Sequence, residues 1–98
     1  MTINKKINGT QMYAEVNGRI DTVTVTEAES ILKSDLDGIT ELVLDFSGLD
    51  YISSAGLRLL LTLQKTMNKQ GSMTIKNANE TVTEIFDVTG FSDILTIE

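Results

Sequence analysis

The chain has 98 residues, of which 41% are hydrophobic and 22% are charged, and its formal net charge at pH 7 is −6. These proportions are typical of a globular protein, so we expect one domain over residues 1–98 and exclude disordered and fibrous classes. The 14 acidic residues outnumber the eight basic ones, which is the wrong balance for a protein that binds phosphate backbones. We therefore expect no nucleic-acid partner.

The absence of His, Cys and Trp narrows the possible functions further. It removes the commonest general base, the thiolate nucleophile, and the imidazole and thiolate ligands of transition metals. The longest apolar stretch, Leu57–Leu63, is far shorter than the roughly 20 residues of a membrane span. We expect a cytoplasmic protein that is not an enzyme, with no cofactor, no metal site and no membrane partner.

Hydrophobic periodicity and the positions of glycine predict the secondary structure. The predicted elements are strands over Thr2–Ile7 and Met12–Val16, a helix over Val25–Leu36, a strand over Leu42–Phe46, a helix over Ala55–Gln70, a strand over Met73–Lys76, a helix over Glu80–Val88 and a strand over Ile94–Ile97. Their order is ββαβαβαβ. Strands that alternate with helices require crossover connections, so we expect an α/β fold with a mixed central sheet of about four to five strands.

Local signals support these boundaries. Asn8-Gly9 is a hairpin signal between the first two strands, and Thr24–Glu27 has the spacing of a capping box. The run Leu42–Phe46 is almost continuously apolar, as in a strand that is buried on both faces. We expect this strand to be central and the chain to turn at Gly48.

Two serines and a glycine precede and open the second helix, in the segment Ser53–Gly56. One serine is accounted for as an N-cap, because its hydroxyl accepts a hydrogen bond from an early helical N–H. Gly56 costs about 1 kcal/mol of helix propensity relative to alanine, so we expect a group outside the chain, from a partner or its ligand, to approach its backbone closely. The free N–H groups and positive dipole end of a helix also tolerate a phosphoryl group on a serine.

The second helix has a wide apolar stripe, which covers about half of its circumference. Its members are Leu57, Leu59, Leu60, Leu61, Leu63 and Met67. A single packing face requires a narrower stripe of about 100°. We therefore expect part of this surface to be available to a partner.

Three separated segments carry a family resemblance, and in chain order they are Gly18–Asp21, Asp45–Arg58 and Ile85–Phe91. Together they resemble the anti-sigma factor antagonists that are built on the STAS domain (sulphate transporter and anti-sigma factor antagonist). The most specific is Asp45–Arg58, which is similar to the phosphorylation loop of that family and the helix after it. Gly18–Asp21 resembles the family's glycine-x-hydrophobic-aspartate loop, and Ile85–Phe91 resembles the end of its last characteristic helix. The likeness covers nearly the whole chain.

The resemblance implies a phosphorylation switch. The family's phosphorylated serine corresponds to Ser54, and Ser53, which stands where many members have aspartate, is the alternative site. Unphosphorylated, the protein would bind an anti-sigma factor, or equivalent serine kinase, of the histidine-kinase-like ATPase fold. Phosphorylation by that kinase would break the complex, and a PP2C-type phosphatase would reset it. The resemblance also implies that Asp21 lies beside Ser54 and assists phosphotransfer or recognition rather than the fold.

The residues expected to contact the partner lie in the loop before the first helix and at the start of the second helix. They are Asp21, Ser53, Ser54, Ala55, Gly56, Leu57 and Arg58.

Two other function classes compete with this hypothesis. STAS domains also occur without phosphorylation as subunits of transporters or lipid-trafficking complexes, and co-purification with a membrane ATPase would favour that class. A nucleotide-hydrolysing enzyme would need a phosphate-binding lysine motif and a base, which the sequence does not provide. We therefore expect a binding module.

Overall fold

A computed structural model describes every residue from Met1 to Glu98. The strands are β1 (Thr2–Asn8), β2 (Gln11–Ile20), β3 (Glu41–Ile52) and β4 (Ser72–Lys76), the helices are α1 (Val25–Lys33), α2 (Ser54–Gln70) and α3 (Glu80–Thr89), and one turn of 3₁₀ helix spans Phe91–Asp93. The sheet order is β1-β2-β3-β4; β1 is antiparallel to β2, and the other two pairs are parallel. The α/β class and the mixed sheet are confirmed.

The first hairpin follows the local signal in the sequence. Asn8 pairs with Gln11 across the turn, and Gly9 adopts a φ of 63°. That left-handed conformation is open to glycine without steric cost. The hairpin predicted at Asn8-Gly9 is therefore present.

The predicted last strand over Ile94–Ile97 is wrong. Only one parallel bridge forms, between Ile75 and Ile97, with hydrogen bonds from Ile75 N–H to the Thr96 carbonyl and from Glu98 N–H to the Ile75 carbonyl. The 3₁₀ turn uses the preceding residues, so the chain meets β4 only at its end. Alternating apolar residues here mark anchoring to the core instead of a ladder.

Strand β3 is longer than predicted, because the chain does not turn at Gly48. The strand continues to Ile52 through two register shifts against β2, between Glu15 and Asn17 and between Gly18 and Arg19. Such bulges keep the pairing while they bend and twist the strands. As a result, β3 delivers the segment Ser53–Gly56 directly to the carboxyl edge of the sheet.

Helix α1 is shorter than the predicted Val25–Leu36 and ends at Lys33. The Lys5 side chain reaches from β1 to this end, where its Nζ donates to the Ile31 carbonyl and the Ser34 hydroxyl at 2.6 and 2.8 Å. It also pairs with Asp35 at 2.8 Å. A cation that satisfies the last carbonyls is a favourable way to end a helix.

All three helices contribute to one core on one face of the sheet. The strand residues of this core include Met12, Ala14, Val16, Leu42, Leu44, Phe46, Met73 and Ile75, and the helix residues include Ala28, Leu32, Leu57, Leu60, Leu63, Met67, Val82 and Phe86. Because β2, β3 and β4 are parallel, the three helices that follow them all begin at the same edge. None of the helices combines the length and apolar character needed to cross a membrane.

Candidate functional site

The start of α2 assigns different positions to the two candidate serines. Ser53 is the N-cap, with its hydroxyl oxygen accepting from the Gly56 N–H at 3.4 Å and its carbonyl accepting from the Leu57 N–H at 2.9 Å. Ser54 is the first helical residue, and its side chain is exposed. Capping therefore explains why a serine is present at position 53. It does not explain the serine at position 54.

Asp21 lies next to this helix start. Ile20 pairs with Ile52 in the sheet, and the Ser53 N–H donates to the Ile20 carbonyl at 2.9 Å. Asp21 follows Ile20 directly, so the loop before α1 and the start of α2 are neighbours at one edge of the sheet.

Asp21 also organises its own loop. Its Oδ1 accepts from the N–H groups of Val23 and Thr24 at 3.0 and 3.1 Å. These bonds lower the pKa of Asp21, and the bond from the Thr24 N–H has the largest effect. The Arg19 guanidinium, 3.7 Å away, acts in the same direction. The Asp21 carboxylate thus satisfies two loop donors, which is a structural role beside the predicted one in phosphotransfer or recognition.

The predicted capping box at Thr24–Glu27 is also wrong. Thr24 is the N-cap of α1, but its side chain makes no capping hydrogen bond to the helix. Its hydroxyl instead donates to the Arg19 carbonyl at 2.8 Å and accepts from the Asp21 N–H at 3.0 Å. Spacing alone could not reveal this, because the tight turn from β2 into α1 offers the threonine nearer partners.

Gly56 is buried, and the space available around its backbone explains why this residue is glycine. A Cβ atom at this position would lie 2.5 Å from Cγ1 of Ile52 and 2.9 Å from Cγ2 of Ile20. Both distances are too short for non-bonded carbon atoms. We expected close approach by something outside the chain, but the closely approaching groups are the protein's own β2 and β3.

The wide apolar stripe of α2 is used almost entirely by the core. Leu57, Leu59, Leu60, Leu63 and Met67 are buried, and only Leu61 remains partly exposed. The expectation that part of this stripe is available to a partner is therefore wrong for every member except Leu61. The stripe is wide because α2 packs against both the sheet and α1.

The predicted site residues divide by orientation. Asp21, Ser53, Ser54 and Ala55 lie together at the carboxyl edge, and Ser54 and Arg58 are exposed. A groove with a volume of about 190 Å³ runs between α1 and α2 beside them; it is lined by Val25, Thr26, Glu29, Ala55, Arg58, Leu59 and Thr62. Gly56 and Leu57 are buried.

Exposed apolar and aromatic groups at the same edge were missed as site candidates. The Val23 side chain is 85% exposed in the loop before α1, and Tyr51 is also exposed. The Arg19 guanidinium lies over the Tyr51 ring, 4.8 Å from its centroid. An apolar residue in a short polar loop was the available signal for Val23; the cross-strand pairing of Arg19 with Tyr51 needed the register.

Asp45, the first residue of the most specific motif, has a structural position away from this edge. Its side chain is on the helix-free face, where it accepts from the Tyr13 hydroxyl at 2.5 Å, the Ser47 N–H at 2.9 Å and Asn77 Nδ2 at 3.2 Å. Burial opposes the charged form, but these hydrogen bonds prevail and lower the pKa of Asp45 to about 2. The hydrogen bond between Tyr13 and Asp45 raises the pKa of the Tyr13 hydroxyl. Asp45 thus ties β2, β3 and the end of β4 together.

Comparison with known proteins identifies relatives over almost the whole chain. A family model for the STAS domain matches residues 2–98. BtrV of Bordetella bronchiseptica, to which the role of anti-sigma factor antagonist is assigned, is 34% identical over 94 residues, which are 94% of this chain and 80% of BtrV. The anti-sigma-B factor antagonist of Staphylococcus epidermidis is 28% identical over 83 residues, which are 83% of this chain and 77% of that protein.

A solved structure has the same fold. The crystal structure of an anti-sigma factor antagonist from Mycobacterium paratuberculosis superposes with a TM-score of 0.88 at 21% sequence identity, over 98% of this chain and 83% of that chain.

Proposed function

The chain belongs to the STAS domain family and to its anti-sigma factor antagonists, and we propose that it is switched by phosphorylation of Ser54. In the unmodified state it binds an anti-sigma factor and keeps that factor from its target. A phosphoryl group on Ser54 releases the anti-sigma factor. The observation that carries this proposal is that Ser54 is exposed in the first turn of α2 while Ser53 is engaged as the cap.

The electrostatic surroundings of Ser54 suit a phosphoryl group. The first turn of α2 contains no acidic residue, whereas α1 has Glu27 and α3 has Glu80 in the equivalent turn. The N–H groups of Ser54 and Ala55 have no acceptor within the chain. These donors and the positive end of the helix dipole favour a dianion at this position, so modification is compatible with the folded state.

The same modification opposes binding of the partner. It adds close to two negative charges to a protein whose net charge is already −6. An interface that covers the unmodified hydroxyl would have to desolvate the phosphoryl group, which is expensive unless the partner supplies compensating cations. A tenfold loss of affinity requires only about 1.4 kcal/mol.

The partner of this switch is a serine kinase of the histidine-kinase-like ATPase fold that also acts as the anti-sigma factor. The kinase transfers the γ-phosphoryl group of ATP to the Ser54 hydroxyl oxygen. One oxygen–phosphorus bond forms at Ser54, the β–γ anhydride bond breaks, ADP leaves and the hydroxyl proton passes to the kinase or to water. A PP2C-type phosphatase reverses the modification by hydrolysis.

The contact surface combines the loop before α1 with the exposed side of the α2 start. Asp21, Val23 and Tyr51 lie at the same edge of the sheet as Ser54, and Ala55 and Arg58 line the groove between α1 and α2. Val23 and Tyr51 supply apolar area that is not used by the core. Buried Gly56 and Leu57 support this surface from beneath.

The test combines phosphopeptide mass spectrometry with calorimetric titration. After incubation with ATP and the cognate kinase, we expect one phosphate on Ser54. Ser54→Ala should bind the kinase with wild-type affinity and accept no phosphate, whereas Ser54→Asp and the phosphorylated protein should bind at least tenfold more weakly.

Ser53→Ala is the matched control, because it removes the neighbouring hydroxyl and should still be phosphorylated. Phosphate on Ser53 alone would move the site by one residue. If neither serine is modified and all variants bind equally, the proposal of a phosphorylation switch is wrong. A constitutive STAS subunit then becomes the better explanation.

A further inference from the structure

We propose that Arg58 is the internal charge partner of a phosphoryl group on Ser54, an inference that rests on the proposed function. The guanidinium would pair with the phosphoryl oxygens on the surface of α2. Phosphorylation would then change two features of the surface together, because it adds negative charge and engages an arginine that was free.

Position on the helix carries the first step of this inference. Ser54 and Arg58 are four residues apart in α2, and both side chains are exposed. Residues i and i+4 lie on the same face of a helix, with their Cβ atoms about 5–6 Å apart. An arginine side chain spans that separation easily, and its planar fork matches two phosphoryl oxygens at once.

The Arg58 guanidinium is uncommitted in the unmodified protein. It forms no ion pair and donates no hydrogen bond within the chain, although its main-chain carbonyl accepts from Thr62. The only other arginine, Arg19, lies over Tyr51 and 3.7 Å from Asp21. Arg58 is therefore the arginine that can respond to a new anion without breaking an existing contact.

The ion-paired lysines and the lysines of α2 are poorly placed for this task. Lys5 and Lys33 are paired with Asp35 and Glu29. Lys65 lies on α2 but 11 residues beyond Ser54, which corresponds to about 16 Å along the helix axis. That separation is about twice the Debye length of roughly 8 Å at physiological ionic strength, so Lys65 would be screened from the phosphoryl group.

Glu29 is the competing anion for Arg58. The two residues line opposite sides of the groove between α1 and α2, but Glu29 contacts Lys33 at 3.3 Å instead. A phosphoserine dianion carries more charge than a carboxylate and has three acceptor oxygens. It should therefore outcompete Glu29 and draw Arg58 toward the start of α2.

This arrangement has a consequence for the switch. In the unmodified protein, Arg58 offers a free positive charge at the groove beside Ser54. In the phosphorylated protein, that charge is neutralised within the same helix. A partner that contacts Arg58 through a carboxylate would lose this contact and meet the phosphoryl group at the same time.

The test is a phosphorus NMR titration of the full chain with phosphoserine placed at position 54 by genetically encoded incorporation. The second pKa of phosphoserine is ordinarily about 6, and a nearby guanidinium lowers it by favouring the dianion. We expect the phosphoserine pKa in the protein with Arg58 to be lower by about 0.3 or more than in the Arg58→Gln variant. Arg58→Lys should give an intermediate value, because it retains the charge but not the fork.

Lys65→Gln is the matched control, since it removes one positive charge from the same helix at long range. Its phosphoserine pKa should stay within about 0.1 of the parent value. Equal pKa values with and without Arg58, or equal shifts in Arg58→Gln and Lys65→Gln, would overturn the proposal. Because the phosphoserine is installed without a kinase, failure of the cognate kinase to modify Ser54 would contradict the proposed function and leave this result standing.

Discussion

The beginnings of α1 and α2 lie side by side at the carboxyl edge of the sheet, yet they are built differently. The loop into α1 is tied by the Asp21 carboxylate, which accepts two backbone N–H groups at 3.0 and 3.1 Å. The start of α2 has one side-chain cap bond, from the Gly56 N–H to Ser53 Oγ, at 3.4 Å. It has no carboxylate in its first turn, whereas α1 has Glu27.

The difference separates a structural carboxylate from an accessible hydroxyl. A negative charge is already in place before α1, where it satisfies donors of the loop. The equivalent region of α2 has free donors and the exposed Ser54 hydroxyl, so a negative charge can be added there. We infer that Asp21 keeps the neighbouring loop in shape while the charge state of α2 changes.

The largest effect in this comparison is expected at the buried glycine of α2. Gly56→Ala should lower the free energy of unfolding by about 1–2 kcal/mol. The added Cβ would lie only 2.5 Å from Cγ1 of Ile52, which puts overpacking in the upper part of its usual range, about 2–3 kcal/mol, against about 1 kcal/mol of gained helix propensity. Urea denaturation monitored by circular dichroism would measure this change.

A double-mutant cycle sharpens the Gly56 prediction. In an Ile52→Ala background the same glycine substitution should cost less, because Cγ1 of Ile52, at 2.5 Å, is the nearest atom to the added methyl. An unchanged or increased stability of Gly56→Ala in the wild-type background would contradict the packing explanation. Only then would close approach by a partner again be the reason for the glycine.

A smaller loss is expected from the loop before α1. Asp21→Ala should lower the melting temperature at neutral pH by a few degrees, because two backbone N–H groups lose their acceptor. The pKa of Asp21 is lowered in the folded state, so its contribution is present above the ordinary range of aspartate, about 4, and is lost as the pH falls through the lowered pKa.

The thermal shift between wild type and Asp21→Ala should therefore shrink as the pH is lowered below 4. Thermal scans of both proteins at several pH values separate the effect of Asp21 from the effects of the other acidic residues, because the two proteins share those residues. Equal melting temperatures at neutral pH would mean that the loop is held without the carboxylate.

The smallest effects distinguish the two serines. Ser53→Ala should cost about 0.5–1 kcal/mol, at the lower end of cap losses because the bond is long, whereas Ser54→Ala should change stability by less than about 0.5 kcal/mol. Chemical denaturation of both variants in parallel provides the comparison. A larger loss for Ser54→Ala would exchange the roles of the two residues and would weaken the case for Ser54 as the modified one.

The sequence by itself determined the features that depend on neighbouring residues. Periodicity located α2 to within one residue of its observed start, and Asn8-Gly9 marked the hairpin. The segments Gly18–Asp21, Asp45–Arg58 and Ile85–Phe91 together indicated the family, and the second of them directed attention to Ser53 and Ser54. Each of these signals is written in a contiguous stretch, because helix caps, turns and amphipathic faces are formed by residues that are close along the chain.

Only the tertiary structure decided the features that depend on distant residues. Gly56 has a stability rationale because Ile20 of another strand crowds it, and the α2 stripe is buried because the sheet and α1 both pack against it. Whether Ile94–Ile97 becomes a strand depends on its pairing with β4. Only one bridge forms between the two segments. The physical reason is common to all three: burial and strand pairing are set by which segments meet in space, and local sequence patterns do not specify that meeting.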